Sequence, residues 1–272
     1  MQSQHDRALR FRALHASGTF VIPNVWDGAS AGVMAGMGFE ALATSSAACA
    51  ATYGRIDGRI TREQALTHAR LIVAATDLPV SADLEQGFGD DSAAVAETVR
   101  LAAEAGLVGG SIEDASGNER APIYELAQAV ERVSAAVQAA RALPFPFTLT
   151  ARAENFLHDR TDLDDTVRRL QAFERAGADV LFAPGLPDLA AVRTVCGALS
   201  RPVNFMVGIR GRSFSVAELA AAGVRRISLS TSLYRAAITG LRAAAREVRE
   251  AGTFGYLDAI MSGGELERFL TG

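Results

Sequence analysis

Eight times along the chain, a short apolar run rich in β-branched residues gives way to a longer alanine-rich stretch whose apolar positions recur three and four residues apart. The first pattern suits a strand buried on both faces and the second an amphipathic helix, so the repeat reads as βα units feeding a parallel sheet. The spacing predicts strands at 20–25, 41–46, 79–85, 109–114, 147–154, 179–185, 202–208 and 225–231. Helices are predicted between them, with Thr61, Ser92 and Asp162 as N-caps and Pro122 and Pro187 in first turns. The opposite helix ends are marked by glycine just before a strand, in "GMGFEAL", "EAGLVGG", "RAGADVL" and "AAGVRRI". A left-handed residue there terminates a helix without steric cost.

Eight such units in 272 residues predict a closed (β/α)8 TIM barrel. An open doubly wound sheet is disfavoured, because "NVWDGASAG" after the first strand lacks the Gly-x-Gly-x-x-Gly turn. Residues 1–272 therefore read as a single barrel domain, with an extra helix at 3–16 before the barrel and residues 241–272 as a C-terminal helical extension. That extension must bury an apolar face, so association with another subunit is expected. A net charge of −4 with no basic block argues against nucleic acid as a partner. No run approaches the roughly 20 apolar residues of a membrane span, and "MQSQHDRALRFRALHASG" has no continuous apolar leader, so no membrane partner and a cytoplasmic location are expected. Cys49 and Cys196, alone and far apart, suit packing in a reducing compartment.

In a barrel of this kind the carboxyl ends of the strands form the reactive face. Those ends carry Asn24, Trp26 and Asp27, then Thr44, Ser45 and Ser46, then Asp83 and Glu85, Glu113 and Asp114, Arg152 and Glu154, and Asn204. The sixth and eighth ends, "LFAPG" and "SLSTS", offer only apolar groups or hydroxyls. So many carboxylates at one mouth repel one another unless a cation intervenes. The donors are all oxygens, which selects a hard ion such as Mg²⁺, with Asp83 as its preferred direct ligand. Strand-end acids followed by glycine are also ordinary loop chemistry. Arg152 is either paired to Glu154 or Glu113 or aimed at an anionic ligand. "TSSAA" either offers amides and the Ser45 hydroxyl to an oxyanion or tapers the barrel interior with small residues.

"PVSADLEQGFG", "GGSIEDAS", "LTARAEN", "GADVLFAPG" and "PVNFMVG", in that order, together with "VIPNVWDGASAGVMAGMGFEALATSSAA", resemble the isocitrate lyase and phosphoenolpyruvate mutase superfamily over residues 10 to 240. The resemblance implies a (β/α)8 barrel in homodimers that swap a C-terminal helix, often paired into homotetramers. It implies bound Mg²⁺, with Mn²⁺ as a substitute, and cleavage or formation of C–C or P–C bonds beside a small 2-oxo or 2-hydroxy carboxylate through a pyruvate-type enolate. Position by position, it implies Asp83 as the direct metal ligand, with Glu85 and Glu113 holding its waters and Asp57 near metal and substrate. Arg152 would grip the substrate carboxylate, Ser45 with the amides of Ser46 and Ala47 would bind the carboxylate or oxyanion, and Asn204 would contact substrate. A retro-aldol cleavage further needs a base and an acid, for which Tyr53 and Asp57 are the candidates. Two departures stand out. The loop "DASGNERAPIYE" lacks the Lys-Lys/Arg-Cys-Gly-His segment of isocitrate and methylisocitrate lyases, and Pro184 falls where phosphonate-forming mutases have histidine. The expected activity is therefore a Mg²⁺-dependent C–C lyase or decarboxylase of small di- or tricarboxylates. The alternatives are a P–C mutase or hydrolase and a metal-dependent 2-oxo acid binding protein.

Overall fold

The computed structural model describes residues 2–271. Its eight strands are β1 (Phe20–Ile22), β2 (Leu42–Ala43), β3 (Val80–Asp83), β4 (Gly109–Glu113), β5 (Thr148–Arg152), β6 (Val180–Phe182), β7 (Val203–Met206) and β8 (Arg226–Ser228). They form one parallel sheet in the order β1-β8-β7-β6-β5-β4-β3-β2. The sheet closes on itself where Asn24 bridges Ala43, through Val25 N–H to Ala43 O at 2.8 Å and Ala43 N–H to Pro23 O at 2.9 Å. The eight expected strands thus form the expected barrel, each shorter than its apolar run because only the ladder-bonded centre counts as strand.

The helices are α1 (Gln4–Leu14), α2 (Gly28–Gly36), α3 (Ser46–Thr52), α4 (Arg62–Ala74), α5 (Ser92–Glu104), α6 (Leu126–Arg141), α7 (Leu163–Arg175), α8 (Leu189–Gly197), α9 (Val216–Ala221), α10 (Ser232–Ala251) and α11 (Gly263–Thr271). Thr61 and Asp162 cap α4 and α7 as the sequence predicts. Three boundaries differ. Asp91 rather than Ser92 caps α5, since its carboxylate reaches the Ala94 amide at 2.6 Å. Pro122 lies before α6, where its carbonyl takes the Ser116 amide and closes the loop after β4. Pro187 likewise precedes Asp188, the cap of α8. α3 begins on the last residue of the strand predicted at 41–46 and runs through residues for which no element was predicted, and residue 241 falls inside α10, so the helical extension begins directly after β8.

Alternation along each strand sorts the side chains. Leu149, Ala151, Leu181, Val203, Phe205 and Ile227 face outward into apolar clusters with the helices. Arg152, Asn204, Met206, Arg226 and Ser228 face the barrel interior. α1 plugs the floor: Phe11 packs with Ala8, Ile22 and Val108, and a Cβ on Gly109 would stand 2.8 Å from the Phe11 ring, so only glycine admits it. None of the described helices is long and apolar enough to cross a membrane.

Candidate active site

A cavity of about 170 Å³ opens at the carboxyl ends of the strands. Its wall includes Asn24, Ser45, Ser46, Ala47, Asp57, Asp83, Arg152 and Asn204. The structure thus brings most of the sequence-predicted residues to one place. Tyr53 is a correction: it lies outside the cavity wall, 39% exposed, with its hydroxyl 3.3 Å from Gln64 O, because α3 turns it outward at its C-cap.

The alternation that directs Arg152 inward on β5 also puts it among acids. Its Nη1 meets Asp83 Oδ1 at 2.9 Å and Glu113 Oε2 at 3.2 Å, while Nη2 and Nε both meet Glu154 Oε1 at 2.9 Å. The Phe182 ring lies 5.1 Å beneath the guanidinium. Burial works against this cation, yet Glu154, Glu113 and Asp83 outweigh it and raise Arg152 further. In the structure Arg152 is ion-paired and also lines the cavity.

The three acids expected around a metal, Asp83, Glu85 and Glu113, do not all face the cavity. Among the described residues, no three His, Cys, Asp or Glu side chains gather in a metal-holding group. The reason is Arg152 itself, whose Nη1 stands between Asp83 and Glu113. Only Asp83 faces the cavity, oriented by the Ser46 amide at 3.3 Å from Oδ2. Glu85 and Glu113 lie outside the cavity wall.

One guanidinium does not balance this much acid. Among the described residues, Glu85 Oε1 is buried with no partner. Burial, then the charges of Asp83 and Asp57, push its carboxyl up to about 8. Burial holds Glu113 well above the carboxylate range in spite of Arg152, with Glu154, Asp83 and Glu85 adding to the rise. Asp57, at the rim, is raised by its surroundings and by Asp83, while the Ser46 hydroxyl and the Gly58 amide pull the other way. An orphaned carboxylate oxygen, acids whose carboxyls burial and neighbouring charge raise, and an all-oxygen donor set fit a hard divalent cation at Asp83.

Other acids singled out at the strand ends are structural. Asp114 accepts the Glu154 amide at 2.8 Å and pairs with Arg169 at 3.1 Å; burial is what lifts it to about 6. Asp27 caps α2 in a reciprocal box with Ser30. Asp90 takes the Tyr124 hydroxyl at 3.1 Å, and the buried Arg132 clamps the carbonyls of Gln86, Gly89 and Asp90, bracing the turn below Glu85. Glu85 and Ser230, at φ of 49° and 50°, hold left-handed backbone unusual for non-glycine residues at two strand ends around the mouth.

Ser45 is the N-cap of α3, its hydroxyl 3.4 Å from the Ala48 amide, so that group is partly spent on the helix. Asn204 donates to Ser228 Oγ at 3.0 Å and accepts from Arg226 Nε at 2.8 Å. Arg226 is the site residue that sequence reading missed. The signal was present in "RRISLST": with period-two alternation, one of two adjacent arginines on a strand must face inward.

The sequence profile of the phosphoenolpyruvate phosphomutase family matches residues 11–249. The chain belongs to that family. Within it, the chain is 30% identical to oxaloacetate decarboxylase of Chromohalobacter salexigens over 258 residues, covering 91% of this chain and 87% of that one. It is 30% identical to 2-methylisocitrate lyase of Escherichia coli over 226 residues, 79% and 75% of the two chains. A crystal structure from Burkholderia cenocepacia J2315 superposes with a TM-score of 0.96 at 53% identity, over 99% of this chain and 98% of that one. Homologues in the phosphoenolpyruvate mutase and isocitrate lyase superfamily are carbon–carbon lyases.

Proposed function

We propose that this chain is a divalent-cation-dependent C–C lyase or decarboxylase acting on a small 2-oxo or 2-hydroxy di- or tricarboxylate. The observation that carries the proposal is Asp83, the one carboxylate of the Asp83–Glu85–Glu113 set that faces the cavity, backed by more acid than Arg152 neutralises. Asp83 would hold Mg²⁺ or Mn²⁺, with Glu85 and Glu113 reaching it through water. The bound cation supplies a Lewis acid for the electron pair released when the C–C bond beside a 2-oxo carboxylate breaks. The Ser46 amide and Arg152 Nη1 keep Asp83 turned toward the cavity, and Arg152 orders Glu113 and Glu154 at the same time. Ser45, Ser46 and Ala47 line the wall where a substrate oxyanion would lie, and Asn204 lines the same cavity. Asp57, with its raised carboxyl at the rim, is the group placed to exchange a proton with bound substrate. A cavity well below the roughly 300–1,000 Å³ of drug-sized pockets suits an acid of a few carbons.

The family's name also raises P–C bond chemistry, which Pro184 at the exit of β6 argues against. The test is incubation of the purified protein with oxaloacetate, 2-methylisocitrate and phosphonopyruvate, with and without EDTA, read by pyruvate release and ³¹P NMR. The expected result is pyruvate from one of the first two acids, abolished by EDTA and restored by Mg²⁺. Turnover indifferent to chelation, or phosphorus rearrangement alone, overturns the proposal.

A further inference from the structure

The cavity holds a second arginine, and it is treated quite differently from Arg152. Arg226 is only 5% exposed and lines the same cavity, yet among the described residues it forms no salt bridge. Its neighbours are neutral. Nε donates to Asn204 Oδ1 at 2.8 Å, Nη2 donates to Thr150 Oγ1 at 3.0 Å, and Nη1 stands 3.5 Å from His15 Nε2. His15 Nδ1 lies 2.8 Å from Phe11 O, an arrangement that puts the proton on Nδ1 and turns the Nε2 lone pair toward Arg226. A guanidinium has five N–H groups, so these contacts leave donors free for a planar, two-oxygen acceptor. Burial, then the like charge of Arg152, lower Arg226 to about 9, and it remains a cation at neutral pH. A buried cation with no counter-ion is costly to keep unless something pairs it.

The space above Arg226 has been cleared. Barrels of this fold are ordinarily packed inside with Val, Ile and Leu. Here the inward positions of the second, third, fourth and eighth strands are Ala43, Ser81, Ser111 and Ser228, all lining the cavity. Depth follows from the register: Arg226 touches Thr150, two residues before Arg152 on β5, which places it about 6–7 Å below Arg152 at ~3.3 Å per residue.

We infer that Arg226 is the receptor for a second carboxylate of the substrate, reached by a diacid that descends into the barrel from a head group held at Asp83. The inference rests on the lyase reading of the mouth and adds a selection for diacids made at the barrel floor, a short-chain length below Arg152. Arg226 acts as a specificity-determining residue.

The test compares two acids of equal carbon count, malate and 2-hydroxybutyrate, which differ by a terminal carboxylate against a methyl group. Binding to the full-length protein is measured by isothermal titration calorimetry in Mg²⁺. Wild type should bind malate about tenfold or more tighter than 2-hydroxybutyrate. Arg226→Met should erase that ratio with the affinity for 2-hydroxybutyrate kept, and Arg226→Lys should keep part of it. Should Arg226→Met not fold, Asn204→Asp supplies the guanidinium with an internal counter-ion; it should raise the melting temperature and abolish the malate preference. A wild type that binds both acids equally, or an Asn204→Asp variant that is stabilised yet still prefers malate, makes Arg226 a floor plug and overturns the inference. Those outcomes leave the lyase reading standing. If wild type binds neither acid in Mg²⁺, the reading of the mouth fails, and the inference falls with it.

Discussion

His15 shows how far one buried ring can set the response of the fold to acid. It sits at the barrel floor, edge-on to Phe11 and Phe20 at 4.8 and 5.0 Å, with the Arg226 guanidinium as the charged group facing it. Burial and then Arg226 depress its pKa to about 3, against the opposing pull of the Phe11 carbonyl. The folded chain therefore refuses a proton that the unfolded chain accepts below its ordinary value of 6.5. Stability contributed by neutral His15 is complete above about pH 6.5 and is lost as pH falls toward 3, at ~1.4 kcal/mol per pH unit. His15→Leu should flatten that slope in urea midpoints measured between pH 4 and 7; an unchanged slope means the acid sensitivity arises elsewhere. At the mouth, Asp83→Ala removes the carboxylate that faces the cavity and leaves Arg152 Nη1 to Glu113. Mg²⁺-dependent turnover should drop more than about a hundredfold with the circular dichroism spectrum unchanged, and a smaller loss would move the cation site away from Asp83.

Among the elements, α11 is held by absence of side chains. A Cβ on Gly32 of α2 would lie 2.7 Å from the Phe269 carbonyl oxygen, and Gly36 meets the Phe269 ring in the same way. Backbone cannot step aside as a side-chain tip can, so Gly32→Ala should lift α11 from α2, costing about 1–3 kcal/mol and raising hydrogen exchange across 263–271. Alanine ordinarily stabilises a helix over glycine by about 1 kcal/mol, so a stabilised variant would show that α11 does not rest there in solution. The elements also mark where sequence is readable. The eight strands were legible because apolar runs and β-branching mark each of them, and helix-ending glycines precede four, as at Gly177 before β6 with φ of 102°. α3 was not, because seven small residues, "SAACAAT", are too few to show a helical period and its cap is an ordinary serine. At the site, their place at the carboxyl ends of strands made Asp83, Arg152 and Asn204 legible as candidates. That Nη1 of Arg152 divides Asp83 from Glu113 was not, since it depends on how β3, β4 and β5 sit side by side in the register.

For the molecule as a whole, the question is what stabilises α10. Its 20 residues include none that is buried, and Ile238, Leu241 and Val248 stand exposed, Leu241 by 65%. Spaced three and seven residues apart, they share one face, while Arg235, Arg242, Arg246 and Arg249 keep much of the remainder in water. A helix this long gains little from propensity alone and draws most of its stability from a packed apolar face. We therefore expect a second copy of the chain to cover that face, giving a homodimer or a pair of dimers, with the helix following β8 as the element between subunits. Light scattering at micromolar concentration should give a mass two or four times the 28.6 kDa of one chain. Leu241→Lys, which sets a charge in the middle of the face without touching the cavity, should shift the mass toward one chain and lower the melting temperature, with the concentration dependence that association confers on it reduced. A wild-type chain that stays monomeric at tens of micromolar would mean that α10 is stabilised without a partner, and the expected exchange of helices between subunits would then have no physical basis.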